Sequence, residues 1–95
     1  MAGESGRGLL SGEVQGYDVD RMIVQFTMID DGRVIQCAIS SAAMDAIDGG
    51  SNVKPDQRVD QFLRLRDVIE KRASCRFIES PPQSNRPLVL RSNDF

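Results

Sequence analysis

The segment MIVQFTMIDDGRVIQCAIS, residues 22–40, predicts the centre of the fold of this 95-residue chain. In both halves of the segment apolar side chains alternate with other residues, and a period of two is typical of a β-strand. Between the halves lies Asp31-Gly32, a pair that suits the positive φ angles of a type I′ turn. The segment therefore predicts a β-hairpin.

The turn also predicts which residues of the hairpin face each other, because a two-residue loop pairs Asp30 with Arg33. A slip of one residue would bring Gln36 and Ala38 against the apolar set. Turn chemistry and face pattern thus agree on one register. Three apolar pairs are expected on one face: Met28 with Ile35, Phe26 with Cys37, and Val24 with Ile39.

Upstream of the hairpin the signals are weaker. Residues 1–12 contain four Gly and two Ser with few apolar side chains, which predicts a flexible N-terminal tail. Residues 13–95 are then expected to form a single domain, since this length allows only one. Residues 17–21 indicate a turn into the hairpin, and Val14 indicates a short strand before it.

Two helices are expected after the hairpin. Ser40-Ser41 can cap a short helix, which Gly49-Gly50 ends. Pro55 suits the first turn of a second helix, expected over residues 55–78, although residues 75–78 are also compatible with a strand. The expected apolar stripe of the second helix consists of Val59, Phe62, Leu63, Arg66, Ile69 and Ala73, widened by Leu65 and Val68.

The remaining residues complete the predicted topology. Paired prolines in residues 80–85 predict a loop, because proline cannot continue a helix. Residues 87–91 favour a last strand in the hairpin's sheet. The order strand-strand-helix-helix-strand predicts an α+β protein with a small antiparallel sheet of three or four strands. Both helices are expected on one face of the sheet, where they would cover the apolar side of the hairpin.

A family resemblance is carried by residues spread over the chain: Tyr17, Asp18, Arg21, Val24, Phe26, Gly32 to Cys37, Ile39, Ser40, Ala43, Met44, Phe62, Arg66, Ile69, Glu70, Ala73, Leu88 to Leu90 and Asp94. In this order and spacing they resemble the bacterial family known as domain of unknown function 1488. The resemblance covers roughly residues 14–95. It implies a small cytoplasmic α+β protein of bacterial origin. The family has no established activity, so the resemblance implies no catalytic residue.

The composition excludes several kinds of catalytic site. The chain has no His and two Cys, which excludes a Cys–His nucleophile and the common zinc sites. Cys37 falls on the inward face of a strand, where a thiol is usually inert, whereas arginines near Cys75 could make its thiol reactive. The Gly-rich segments 3–8 and 49–51 lack the context of a phosphate-binding loop. No enzyme activity, cofactor or metal site is therefore predicted.

The charge distribution gives one candidate interaction surface. The net charge is −2, but residues 1–53 sum to −5 and residues 54–78 sum to +3. A charged helix face is usually solvated, and the acidic half of the same fold or of a second copy could be its partner. Weak nucleic-acid binding through the basic helix 55–78 is the alternative, although interspersed acids oppose it. The candidate residues are Arg58, Arg64, Arg66, Lys71, Arg72 and Arg76.

Arg66 is unusual because it falls within the apolar stripe. Its aliphatic stem could pack on the sheet with the charged head at the edge. Alternatively, its guanidinium could form a bidentate pair with a carboxylate, for which Asp18 is the nearest candidate.

The favoured function is a non-enzymatic interaction or regulatory module. Its partner would be an unknown protein or a second copy in a homodimer. The other face of the hairpin, which bears Ile23, Ile29 and Val34, is apolar enough to meet such a partner. A cytoplasmic location without a membrane partner is expected, because the chain has no long apolar run and no signal-peptide pattern.

Overall fold

The computed structural model describes residues 9–49, 53–80 and 86–94. Within these ranges the chain forms one four-stranded sheet with strand order β1-β2-β3-β4. The α+β class is therefore confirmed. The elements are β1 (Leu10–Asp18), β2 (Ile23–Asp30), β3 (Arg33–Ser40), α1 (Ser41–Asp48), a 3-10 turn (Pro55–Gln57), α2 (Arg58–Arg64), α3 (Arg66–Glu79), β4 (Leu88–Leu90) and a second 3-10 turn (Ser92–Asp94).

The predicted hairpin and its register are confirmed. Strands β2 and β3 are antiparallel and pair Asp30 with Arg33 across the turn. Asp31 and Gly32 have φ angles of 51° and 82°, both in the left-handed region that a type I′ turn requires. The three apolar pairs are Val24 with Ile39, Phe26 with Cys37, and Met28 with Ile35.

Strand β1 is longer than the sequence predicted. It begins at Leu10, inside the segment predicted as a tail, whose residues 1–8 lie outside the described residues. Two register shifts, between Ser11 and Val14 and between Val14 and Gly16, interrupt its pairing with β2. Because these bulges interrupt the alternation of apolar residues, the sequence of this strand shows no clear period of two.

The turn between β1 and β2 starts later than predicted, because Tyr17 and Asp18 still belong to the strand. The Asp18 carboxylate accepts hydrogen bonds from the backbone N–H groups of Asp20 and Arg21 at 3.0 and 3.2 Å. Asp18 is thus occupied in closing this turn.

Strand β4 corrects the prediction of an antiparallel sheet. It joins the predicted sheet beside β3, but the two strands are parallel, with Cys37 beside Leu88 and Ile39 beside Leu90. The helices between them carry the chain across one face and back to the end of the sheet where β3 began. Such a crossover connects parallel strands, so the sheet is mixed.

The short helix forms as predicted: the Ser40 hydroxyl accepts a hydrogen bond from the Ala43 N–H at 3.0 Å, and Gly49 ends the helix with φ 90°. The second predicted helix is divided. A 3-10 turn opens it, and Leu65, with φ −98° and ψ 8°, separates α2 from α3. Residues 75–78 are helical, whereas the predicted loop at 81–85 lies outside the described residues.

The core lies between the helices and one face of the sheet. The rings of Phe26 on β2 and Phe62 on α2 are in contact, with centroids 4.8 Å apart. Leu63 and Val68, expected in the apolar stripe, are instead 46% and 47% exposed, whereas Phe62, Ile69 and Ala73 of that stripe are buried. The core cluster comprises Val24, Phe26, Met28, Cys37, Ile39, Ala43, Met44, Phe62, Ile69, Ala73, Leu88 and Leu90.

Candidate interaction surfaces

The predicted basic residues on α2 lie against the acidic end of α1. Arg58 donates to Asp45 at 2.8 Å, and Arg64 donates to Asp48 at 3.0 Å. Gln61 lies between these pairs, donating to Asp45 at 3.1 Å and accepting from Arg58 at 2.7 Å. These five residues are called the α1–α2 network below. The acidic and basic parts of the chain thus meet within the fold.

Burial makes the inner pair of the network different from the outer pair. The Arg58 side chain is 9% exposed and Gln61 is buried, whereas the Arg64 side chain is 60% exposed. The hydrogen bond from Arg58 holds the pKa of the Asp45 carboxyl below its ordinary value, and Arg64 does the same for Asp48. The network binds α1 to α2, and its inner carboxylate stays ionised at neutral pH.

Arg66 forms a carboxylate pair, but the predicted partner, Asp18, is wrong. The Arg66 Nε donates to Glu70 at 2.8 Å, one helical turn further along α3. Its Nη2 donates to the backbone carbonyl of Gly12 at 3.0 Å. Asp18 is instead occupied by the turn that follows β1. Arg66 therefore ties α3 to the edge strand.

The last three predicted residues lie further along α3. Arg76 donates to Asp94 at 2.7 Å, and Asp94 also accepts from the backbone N–H of Arg91. Lys71 is exposed and Arg72 is half-buried. Four of the six predicted residues therefore bind carboxylates of their own chain, and the structure does not gather the six into one uncompensated basic surface.

The two cysteines occupy different environments. Cys37 is buried in the core, and burial raises the pKa of its thiol to about 12. A thiol with so high a pKa carries almost no thiolate at neutral pH and is a poor nucleophile. Cys75 is half-buried on α3. Both are free thiols.

The sheet face opposite the core cluster is a second candidate surface. On β2, β3 and β4, residues at alternate positions point away from the core side chains. None of these nine residues is charged, although 27% of the chain is charged. The set, called the open face below, consists of Ile23, Gln25, Thr27 and Ile29 on β2, Val34, Gln36, Ala38 and Ser40 on β3, and Val89 on β4.

Apolar side chains concentrate at the hairpin end of the open face. Ile29 pairs with Val34 on one side and with Leu10 of β1 on the other. Leu10 and Val34 are 67% and 59% exposed, and Ile29 is half-buried. The sequence pointed to Ile29 and Val34 but missed Leu10, because Leu10 lay in the segment predicted as a tail. Its single useful signal was the Leu9-Leu10 pair in an otherwise polar segment.

Hydrogen bonds within the chain satisfy some of the polar groups of the open face. The Thr27 hydroxyl accepts from the Glu13 N–H at 2.9 Å, and the Ser40 hydroxyl caps α1. Within the described residues, the Gln25 and Gln36 amides make no hydrogen bond. These amides are the polar groups of the open face that remain available to a partner.

The described ranges also lack two features that would indicate other functions. No group of three or more His, Cys, Asp or Glu side chains there could hold a metal ion. No helix there is long and apolar enough to cross a membrane.

The fold and its surfaces define a small α+β protein with a mixed sheet, helices on one face and, opposite, a face that is uncharged along β2, β3 and β4. The model of the family described as "Protein of unknown function (DUF1488)" matches residues 11–90, so the chain belongs to this family. The family suggested by the sequence is thereby confirmed. Among curated proteins no match was found.

A solved structure shares the fold. It is the crystal structure of a protein of unknown function from the DUF1488 family of Shewanella loihica PV-4, determined at 1.60 Å resolution. The two are 19% identical in sequence, and the match covers 88% of this chain and 92% of the other. The TM-score is 0.74, which shows that the two chains have the same fold.

Proposed function

We propose that this protein is a non-enzymatic interaction module that binds a protein partner on the open face. The supporting observation is the absence of charge at all nine positions of that face. Charged residues are depleted at the centre of protein–protein interfaces, because each buried charge must be desolvated. Leu10 and Val34 are exposed and Ile29 is half-buried, and the burial of their apolar area would stabilise a complex.

The environments of the ionisable groups support a non-enzymatic role. A general acid at neutral pH needs a carboxyl pKa that is raised, whereas the pKa values of Asp45 and Asp48 are lowered. A thiol nucleophile needs a lowered pKa, whereas that of Cys37 is raised to about 12. These groups serve packing and helix association.

Nucleic-acid binding, the alternative suggested by the basic helix, has less support. Arg58, Arg64, Arg66 and Arg76 each bind a carboxylate of the same chain. To contact phosphates they would have to give up these ion pairs or share them. The net charge of −2 also opposes long-range attraction to a polyanion.

We also propose a cytoplasmic location. Both cysteines are free thiols, which suits a reducing compartment.

The proposed function is tested by capturing partners with matched variants. An affinity-tagged chain is cross-linked in its native host cells, and the captured proteins are quantified by mass spectrometry. Val34→Lys places a charge on the open face, and Val68→Lys places the same charge on the exposed side of α3. We expect specific capture by the wild type and by Val68→Lys, and several-fold less by Val34→Lys.

Two results would contradict the proposal. One is a capture profile identical to that of a tag-only control. The other is equal capture by Val34→Lys and the wild type, which would place the binding surface elsewhere.

A further inference from the structure

We propose that the partner on the open face is a second copy of this chain, packed sheet against sheet about a twofold axis. This inference rests on the proposed function and names its partner. In such a dimer the same nine positions of both copies would meet, as in any interface with twofold symmetry. Two stacked sheets would align their strands within about 30°.

The charge pattern favours a second copy. Both copies of the chain carry the same net charge of −2. If they met through charged surfaces, the interface would bury charges without matched partners of opposite sign, which is costly. The nine positions of the open face are uncharged, and Asp18, the partner of Ile23, lies at the margin of the same side of the sheet, so two open faces can meet without burying a charge at their centre. The helix side carries exposed charges such as Asp60, Asp67 and Lys71 beside Val68, and lacks this property.

The hydrogen-bonding groups of the open face are also self-complementary. Each side-chain amide of Gln25 and Gln36 offers both donors and an acceptor, so the amides of one copy can satisfy those of the other. The hydroxyls of Thr27 and Ser40 are already bound within the chain. A partner with mainly acidic or mainly basic groups would satisfy only one half of each amide.

Neither edge of the sheet is well suited to pairing with a second copy, which leaves the open face as the surface for association. Pairing along the edge strand β1 is hindered by its two bulges, which twist and interrupt an edge. Residues of α3 bind backbone groups of this edge: the N–H of Leu9, just before β1, donates to the Ser74 hydroxyl, and the Gly12 carbonyl accepts from Arg66. The other edge, β4, is only three residues long. Sheet-to-sheet stacking avoids both edges.

The oligomeric state of the purified full-length chain tests this inference. Sedimentation equilibrium is measured from low micromolar concentration to about 1 mM, the weak limit of specific association. We expect a reversible dimer in the wild type. Val34→Lys should weaken the dimer by about tenfold or more, since the charge enters the interface once from each copy. Val68→Lys, on the helix side and similarly exposed at 47% against 59%, should leave the dissociation constant unchanged.

A direct contact measurement accompanies the dissociation constants. In a mixture of isotope-labelled and unlabelled chains, intermolecular nuclear Overhauser effects are expected from the methyl groups of Ile29 and Val34 and not from Val68. Circular dichroism and thermal unfolding of each variant confirm that it remains folded, so that a lost dimer is not a lost fold.

Three results would overturn the inference: a wild type that stays monomeric throughout, an equal loss of association in both Lys variants, and intermolecular contacts confined to the helix side. The proposed function fails separately. If the wild type is monomeric while capture in cells is still lost in Val34→Lys, the open face binds a different protein. If neither capture nor dimerisation responds to Val34→Lys, both proposals are wrong.

Discussion

The two faces of the sheet are formed by the same strands but have opposite surroundings. On one face Phe26 and Met28 are buried beneath α2 and α3, and on the other Ile29 is half-buried while Val34 is 59% exposed. Alternate residues of one strand therefore serve different purposes. The covered face accounts for the stability of the isolated chain, whereas the open face carries apolar side chains whose burial needs a partner.

The largest expected effect separates the two faces by stability. Phe62→Ala removes the ring that packs on Phe26 and should lower the free energy of unfolding by about 3–5 kcal/mol. Val34→Ala on the open face should change it by no more than about 0.5 kcal/mol in the monomer. Urea unfolding at low micromolar protein concentration measures both. Equal losses would mean that the open face contributes to the monomer's core.

A smaller effect concerns how the helical layer is held together. Arg58→Met leaves Gln61 and Asp45 without their main partner and should cost about 1.5–3 kcal/mol of unfolding free energy, the usual value of hydrogen bonds to charged groups. Arg64→Met is the control, since its 60% exposed side chain should contribute much less to stability. Urea unfolding compares the two. A larger loss in Arg64→Met would contradict the assignment of the inner pair as the stabilising one.

The smallest expected effect is the pH dependence of the unfolding free energy that the Asp45 carboxylate of the same network causes. The pKa of Asp45 in the folded chain is below the ordinary value of 3.8, mainly because of its hydrogen bond to Arg58. Its stabilising contribution is therefore complete above pH 3.8 and is lost as the pH falls below it through the folded pKa. Urea unfolding over this acidic range should show a shallower pH dependence for Asp45→Asn than for the wild type.

The control for that measurement is Arg58→Met, which removes the main cause of the lowered pKa of Asp45 and should make the slope similarly shallow. An unchanged slope in Asp45→Asn would show that the Arg58 pair does not couple proton binding to folding. All three experiments test whether the covered face, with the helices bound to it, is the stable part of the molecule.

The sequence predicted the parts of this fold that depend on neighbours along the chain. The hairpin register follows from Asp31-Gly32, and the start of α1 follows from Ser40, because a turn or a cap involves only a few consecutive residues. Strand β1 was recognised only at Val14. Its bulges depend on pairing with β2, and bulged strands lose the two-residue period by which strands are recognised.

The candidate surfaces show the same division. The sequence identified Arg58 as a charged residue of a helix, but its partner Asp45 lies on another helix, and no local pattern predicts that pairing. A carboxylate partner was one of two interpretations of Arg66, and its contacts with Glu70 and Gly12 depend on where β1 passes α3. The apolar residues Ile23, Ile29 and Val34 and the placement of the helices on the opposite side were both predicted from the hairpin's alternation, but the position of Leu10 beside Ile29 depends on the pairing of β1 with β2.

By itself, the sequence determined the class of fold, the register of β2 with β3, and the family to which the chain belongs. Only the tertiary structure decided that β4 runs parallel to β3, that the second helix is interrupted at Leu65, and that four of the six candidate basic side chains bind carboxylates of the same chain. The physical reason is range. Backbone turns and caps are governed by a few consecutive residues, whereas burial, ion pairing and strand direction depend on which distant segments the hydrophobic core brings into contact.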